Sequence, residues 1–332
     1  MGVDIRDIIS LRDIELSQLH GKVLSVDALN ALYQFLAIIR QRDGEVLKDS
    51  AGRTTSHLSG LFYRTINLVE SGIRPVYVFD GKPPDLKIET LHKRKVVREE
   101  AKKRAIRAKV EGREADYAKY VQQDLVFSRD MLSESRKLLD LMGIPYVDAP
   151  SEAEAQASHM SAQDARVYAI ASQDYDSLLF GAPRLIRNVT ITGRRKLPGK
   201  NAYRDIVPEM AELSDVLGAL GITSRQLIEI GLLIGTDYND GVKGIGPKKA
   251  LEVVRADAFG DYGIDESLIK MFTEPEVTDD YDFSFGAPDG EGVKSFLCEE
   301  HDFSSLRVER ALERLNLAID NVLRQNTLDQ WF

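Results

Sequence analysis

Six acidic residues, with a seventh beside them, mark where this chain could do chemistry. Asp27 closes the apolar run "KVLSVDA" (22–28) and Asp80 closes "RPVYVFDG" (74–81). Asp174 and Asp176 follow the apolar run of residues 167–171 in "VYAIASQDYDSLLFG". Glu152 and Glu154 stand in "PSEAEAQA"; Asp237, in "LLIGTDYNDG", is the seventh, and pattern alone does not select it. Like charges about 4 Å apart repel by on the order of 4 kcal/mol at an effective dielectric of about 20. Several converging carboxylates therefore need protons or cations. Oxygen donors without Cys or His favour hard cations such as Mg²⁺, with Mn²⁺ as a substitute. Two such ions about 3.5–4 Å apart can activate a water and stabilise a leaving oxygen in phosphodiester hydrolysis. A plainer account exists for some of these residues. A single strand-end Asp is often a turn former or helix cap. Ser151 and Glu154 also match the S-x-x-E capping box, which explains Glu154 without chemistry but leaves Glu152 unexplained.

The acids need a scaffold that brings them together. The three apolar runs read as short strands buried on both faces, as in a parallel sheet. Helical patterns separate them: "ALNALYQFLAIIRQR", "TTSHLSGLFYRTINLVES" and "SEAEAQASHMSAQ". This alternation predicts an α/β fold, a mostly parallel central sheet flanked by helices. Ligands of such sheets bind at the carboxyl ends of the strands, where these acids fall. Residues 224–255 read as two helices around a glycine-rich turn, and residues 275–290 as a loop. A final helix aligns Leu312, Leu315, Ile319 and Val322 on one face.

Composition narrows the class. The chain has 332 residues and a net charge of −9, with 43% hydrophobic and 29% charged residues, as in ordinary globular proteins. The charge is unevenly spread. Residues 87–114 hold eleven Lys/Arg against five Glu, whereas residues 274–302 hold ten acids and only Lys294. The first segment is thus basic, although a solvated helix face would look the same. One cysteine, Cys298, excludes an internal disulfide. No window approaches a membrane span, and "MGVDIRDIIS" does not resemble a secretion signal. Gly2 would suit myristoylation, but Arg6 occupies the Ser/Thr position of that motif. An intracellular protein without membrane association is expected.

The ordered set "VDALNALYQFL", "TTSHLSGLFYRT", "VYVFDGKPPDLK", "APSEAEAQ", "SQDYDSLLFG" and "IGTDYNDGVKGIGPKKA" resembles the flap endonucleases, structure-specific 5′ nucleases of replication and repair. The resemblance covers nearly the whole chain and implies a PIN-like 5′ nuclease fold. Its parts would be a core over 1–270, with a helical arch at 81–125 and a helix–two-turn–helix at 224–255. An acidic loop and C-terminal helix would follow over 271–324, and a clamp-binding tail over 325–332. The chain ends at that tail without the basic extension of eukaryotic members, which points to an archaeal-type member.

By this resemblance Asp27, Asp80, Glu152, Glu154, Asp174, Asp176 and Asp237 are the carboxylates of a two-Mg²⁺ site. Lys87 and Arg94 stabilise charge on the scissile phosphate, and Tyr33 stacks on a nearby base. Arg64, Gly244, Gly246, Lys248 and Lys249 contact DNA, with K⁺ held at the helix–two-turn–helix. Gln325, Leu328, Trp331 and Phe332 match a sliding-clamp (PCNA) peptide. The implied activity is 5′ flap endonuclease and 5′→3′ exonuclease action by a monomer on flap, nicked or gapped DNA. A non-catalytic scaffold would show lost carboxylates, and none is missing. Relatives acting on bubbles or Holliday junctions carry a different arch region and usually a longer chain.

Overall fold

The computed structural model describes residues 2–41, 44–84, 87, 100, 103–104, 107, 127–196 and 203–329, with only the backbone of 194–196, 203–204 and 325–329. It divides into two compact units. One comprises Met1–Ala28, Val76–Thr90 and Val147–Tyr281; the other comprises Leu29–Pro75, Leu91–Tyr146 and Asp282–Phe332.

The first unit holds nearly all of a seven-stranded sheet. Its strands are β1 (Arg12–Asp13), β2 (Val23–Asp27), β3 (Arg74–Phe79), β4 (Tyr146–Asp148), β5 (Val167–Ala171), β6 (Arg184–Arg187) and β9 (Glu209–Glu212), in the order β1-β9-β6-β5-β2-β3-β4. Of these strands, β2, β3 and β5 were legible as apolar runs; in the structure β2 pairs with β5, and β5 with β6, in parallel. The antiparallel edge β6/β9/β1 was not legible, because its strands are short and mix charge with apolar residues. A separate hairpin, β7 (Gly193–Lys196) with β8 (Tyr203–Ile206), also escaped the sequence reading.

Every residue of β2 is buried, as are Val76 to Phe79 of β3. Each Leu, Ile or Val so buried contributes roughly 1.5–3 kcal/mol. The helix Ala153–Gln163 packs on β2 and β5. It does so with small side chains, Ala153, Ala155, Ala157, Ser158 and Ser161, which allow a close approach. The Ser25 hydroxyl in mid-strand donates to the Ala157 carbonyl at 2.9 Å, so its burial leaves no polar group unsatisfied.

The expected capping box is absent. The N-cap of this helix is Glu152, one residue later than expected, and no side chain caps it locally. The Ala153 amide instead donates to Asp80 Oδ1 at 2.6 Å. A carboxylate from the loop after β3 thus satisfies one of the orphan donors of the first turn.

In the second unit the helix Ser56–Glu70 packs against Arg129–Met142 and against Ser305–Asp329. Leu312, Leu315, Ile319 and Val322 are buried on the last of these, as their spacing predicted. This helix extends through Asp329, so its backbone includes the first five residues of the tail expected at 325–332. Among the described residues no single helix is long and apolar enough to cross a membrane.

Candidate metal centre

All seven candidate carboxylates lie in the first unit, at the end of β2, on the loops and element starts that follow β3, β4 and β5, and after the helix Ser224–Ile234. Asp27 is the last residue of β2 and Asp80 the first after β3. Asp174 and Asp176 lie beyond the end of β5 rather than in it. Asp176 opens a one-turn helix, Asp176–Leu179, and Asp174 stands in the turn before it. Glu152 and Glu154 open the helix Ala153–Gln163. Asp27, Glu152 and Asp176 retain only 8%, 8% and 6% of their exposure, rare values for acids without countercharge.

Mutual electrostatics show how these groups converge. Burial raises the Glu154 carboxyl well above its usual range, and the charges of Asp176, Asp174 and Asp27 add to the shift. Burial likewise pushes Asp176 up to about 7, with Asp237 and Asp174 contributing against a hydrogen bond from the Val3 amide. Asp80 and Glu152 are raised by burial and by Asp237, partly offset by Lys87. Glu152, Glu154 and Asp176 thus each feel two or more of the other acids, and Asp80 feels Asp237.

Lys87 supplies positive charge to it. Its ammonium contacts Glu152 and lies 3.2 Å from Asp237 Oδ2. Burial alone would lower its pKa, but Glu152, Asp237 and Asp80 outweigh that and raise it. The close approach of Gly81 to the loop before Glu152 helps to align the acids. Its amide donates to the Ser151 carbonyl at 2.6 Å, and a side chain there would strike the Ala149 carbonyl.

Two contacts had no sequence signal. The Val3 amide donates to Asp176 Oδ1 at 2.6 Å, and the Gly2 nitrogen lies 3.4 Å from Asp174 Oδ1. A Cβ on Gly2 would meet both aspartates, so glycine leaves room for them. Glu154 is held by the Ser177 amide at 3.2 Å and by the Ser172 hydroxyl at 3.5 Å.

Among the described residues, no group of three or more His, Cys, Asp or Glu side chains could hold a metal ion as it stands. The acids gather without forming a closed coordination shell. The donor set nevertheless fits hard divalent cations: oxygen donors alone, buried, raised in pKa and partly neutralised by a lysine. Asp27, Asp80, Glu152, Glu154, Asp174, Asp176 and Asp237 are the residues available to hold them.

The remaining expected residues are distributed as follows. In the first unit, Gly246 is the N-cap and Pro247 the first residue of the helix Pro247–Arg255. Lys248 and Lys249 are exposed beside that N-terminus. Gly244 takes φ 85°, a conformation that favours glycine. Lys243, exposed in the same loop, was not singled out from the sequence. In the second unit, Tyr33 is exposed on the helix Ala28–Ile38, and Arg64 is half-buried on Ser56–Glu70. Arg94, Trp331 and Phe332 lie outside the described residues, as does most of 81–125, and the side chains of Gln325 and Leu328 are not described.

Known proteins match this chain throughout. The XPG N-terminal domain family matches residues 3–101 and the XPG I-region family residues 143–237. Flap endonuclease 1 of Pyrococcus furiosus is 54% identical over 340 residues, covering 100% of this chain and 99% of the relative. The structure resembles flap endonuclease-1 from Methanococcus jannaschii, with a TM-score of 0.78 and 43% identity over 96% of this chain and 99% of that one. It also resembles the catalytic core of Rad2 in complex with DNA substrate, with a TM-score of 0.69 and 27% identity over 95% and 100% of the two chains. Full-length identity at this level, together with acids gathered at the ends of the sheet, establishes that the chain belongs to the flap endonuclease family.

Proposed function

We propose that this protein is a Mg²⁺-dependent 5′ flap endonuclease that also acts as a 5′→3′ exonuclease, in DNA replication and repair. The observation that carries the reading is the mutual repulsion of buried carboxylates around Glu154 and Asp176, relieved in part by Lys87. The names of the relatives support the same activity.

When bound, two divalent cations supply an activated water and neutralise charge on the departing oxygen. The residues that would hold them are Asp27, Asp80, Glu152, Glu154, Asp174, Asp176 and Asp237. The chain's own groups do the rest. Lys87, paired with Glu152 and Asp237, keeps a positive charge where a phosphate would enter. Arg94, outside the described residues, takes the same charge-stabilising role by the family resemblance. The amides of Gly2 and Val3 and the Ser177 amide orient Asp174, Asp176 and Glu154.

Duplex binding falls to the helix–two-turn–helix. The first-turn amides of Pro247–Arg255 attract a phosphate, with Lys248 and Lys249 adding charge. Gly244 and Gly246 let the backbone approach it, and K⁺ belongs to this loop. Tyr33 stacks on a base without reading it, and Arg64 adds a backbone contact. Gln325, Leu328, Trp331 and Phe332 recruit the sliding clamp, and the enzyme works as a monomer. The organisation expected from the sequence, core over 1–270, arch over 81–125 and tail over 325–332, belongs to this proposal. The test is incubation with a labelled double-flap DNA in Mg²⁺ or EDTA. Metal-dependent cutting near the junction is expected, and its absence refutes the reading.

A further inference from the structure

Tyr33 is 37% exposed although its neighbours Leu32, Phe35 and Leu36 are fully buried. Its ring is not free to turn at random. Phe127 meets it edge to face, with centroids 4.8 Å apart and planes at 76°. Phe127 directly precedes Ser128, the N-cap of the helix Arg129–Met142, whose hydroxyl accepts from the Met131 amide at 3.1 Å. The Phe127 backbone is therefore anchored to a capped helix start.

Its ring is also backed from a third element. His57, fully buried at the start of the helix Ser56–Glu70, lies 6.4 Å from Phe127 at 88°. His57 Nε2 in turn lies 3.3 Å from Glu134 Oε2, one helical turn further into Arg129–Met142. Phe127 is thus bracketed by its own helix and by His57, and it presents an aromatic edge contact to an otherwise exposed tyrosine. Edge-to-face pairs of this spacing are directional, unlike the contact a Leu would make.

We infer that Phe127 is a positioning residue for the stacking of Tyr33 on the nucleobase beside the scissile bond. The inference rests on the flap-cleavage reading above. A ring held in one orientation before DNA arrives loses less freedom on stacking, so more of the stacking energy is available to hold the substrate in a reactive pose.

The experiment uses the full chain and a double-flap DNA with 2-aminopurine beside the scissile bond. Base fluorescence is read in EDTA, and single-turnover and steady-state cutting in Mg²⁺. Phe127→Ala and Phe127→Leu are each expected to lower kcat by about 2- to 10-fold, the range of one aromatic pair, and to weaken 2-aminopurine quenching. KM should stay within about twofold. Phe127→Tyr should restore both signals. In the double variant, Tyr33→Ala should mask Phe127→Ala, because one acts through the other. Wild-type kinetics and quenching in Phe127→Leu, or effects of the two alanine changes that simply multiply, would overturn the inference. Should Phe127→Ala fail to fold by thermal melting, the Leu and Tyr variants decide. Failure of the wild-type protein to cut would count against the nuclease reading, while the quenching in EDTA would still report on Phe127.

Discussion

Lys87 Nζ stands 3.2 Å from Asp237 Oδ2. At that distance two unit charges attract by about 5 kcal/mol at an effective dielectric of about 20. The lysine therefore acts as an internal counter-ion for acids that otherwise repel one another. Removing it leaves buried carboxylates uncompensated, which is costly. Lys87→Ala should melt at a lower temperature than wild type in EDTA and gain more stability from added Mg²⁺. Equal Mg²⁺ gains in the two proteins would show that Lys87 does not share this charge balance.

Asp174 lies in the turn before the helix Asp176–Leu179, and Gly2 reaches it from the other end of the chain. Asp174→Ala should reduce flap cutting at least about a thousandfold, as loss of a metal-positioned water would. Binding to the same DNA, measured by fluorescence anisotropy in EDTA, should persist. A variant that still cuts at the wild-type rate would remove Asp174 from the site.

The raised carboxyls predict a pH dependence. Asp176 titrates at about 7, above its ordinary 3.8, and Glu154 is also raised. A carboxyl whose folded pKa is raised stabilises the fold while protonated. That contribution is complete below 3.8 and is lost as pH rises through about 7. Divalent cations compete with those protons. The rise in Tm caused by Mg²⁺ should therefore be larger at about pH 8 than at about pH 5.5. An equal rise at both pH values would contradict the protonation of these groups.

Gly81 sits next to Asp80, with no room for a side chain against the Ala149 carbonyl. Backbone on both sides of that contact cannot yield by rotamer change. Gly81→Ala should cost about 2–4 kcal/mol of stability, read as a lower urea midpoint. Activity should fall with it, because Asp80 bonds the Ala153 amide through the same loop. An unchanged midpoint would mean that the loop has slack.

Deleting residues 325–332 should leave cutting of a flap by the enzyme alone intact and abolish its stimulation by a sliding clamp. Clamp-stimulated cutting that survives the truncation would place the recruiting surface elsewhere.

Several features were legible because they are local. Apolar runs of strand length located β2, β3 and β5, and the acids after them pointed to the ends of the sheet. Pro247 behind a glycine-rich turn located a helix start. The misreading of Ser151 and Glu154 is instructive. A capping box is a rule about residues three apart, but here the helix starts one residue later and its first amide, Ala153, is taken by Asp80, 73 residues away in the chain. The edge strand β1 gave little signal because edge strands can carry charge, and its neighbour β9 is only four residues long.

Residue types and their spacing determined by themselves the donor chemistry: oxygen ligands on strand ends, with no thiol or imidazole among the candidates. Only the tertiary structure decided which groups neutralise and orient those donors. Lys87 entered among Glu152 and Asp237, the amides of Gly2 and Val3 bonded aspartates 172 and 173 residues away, and Phe127 came to rest against Tyr33. Periodicity and capping act within a few residues, whereas electrostatic compensation and ring packing act through space between segments that the chain order keeps apart.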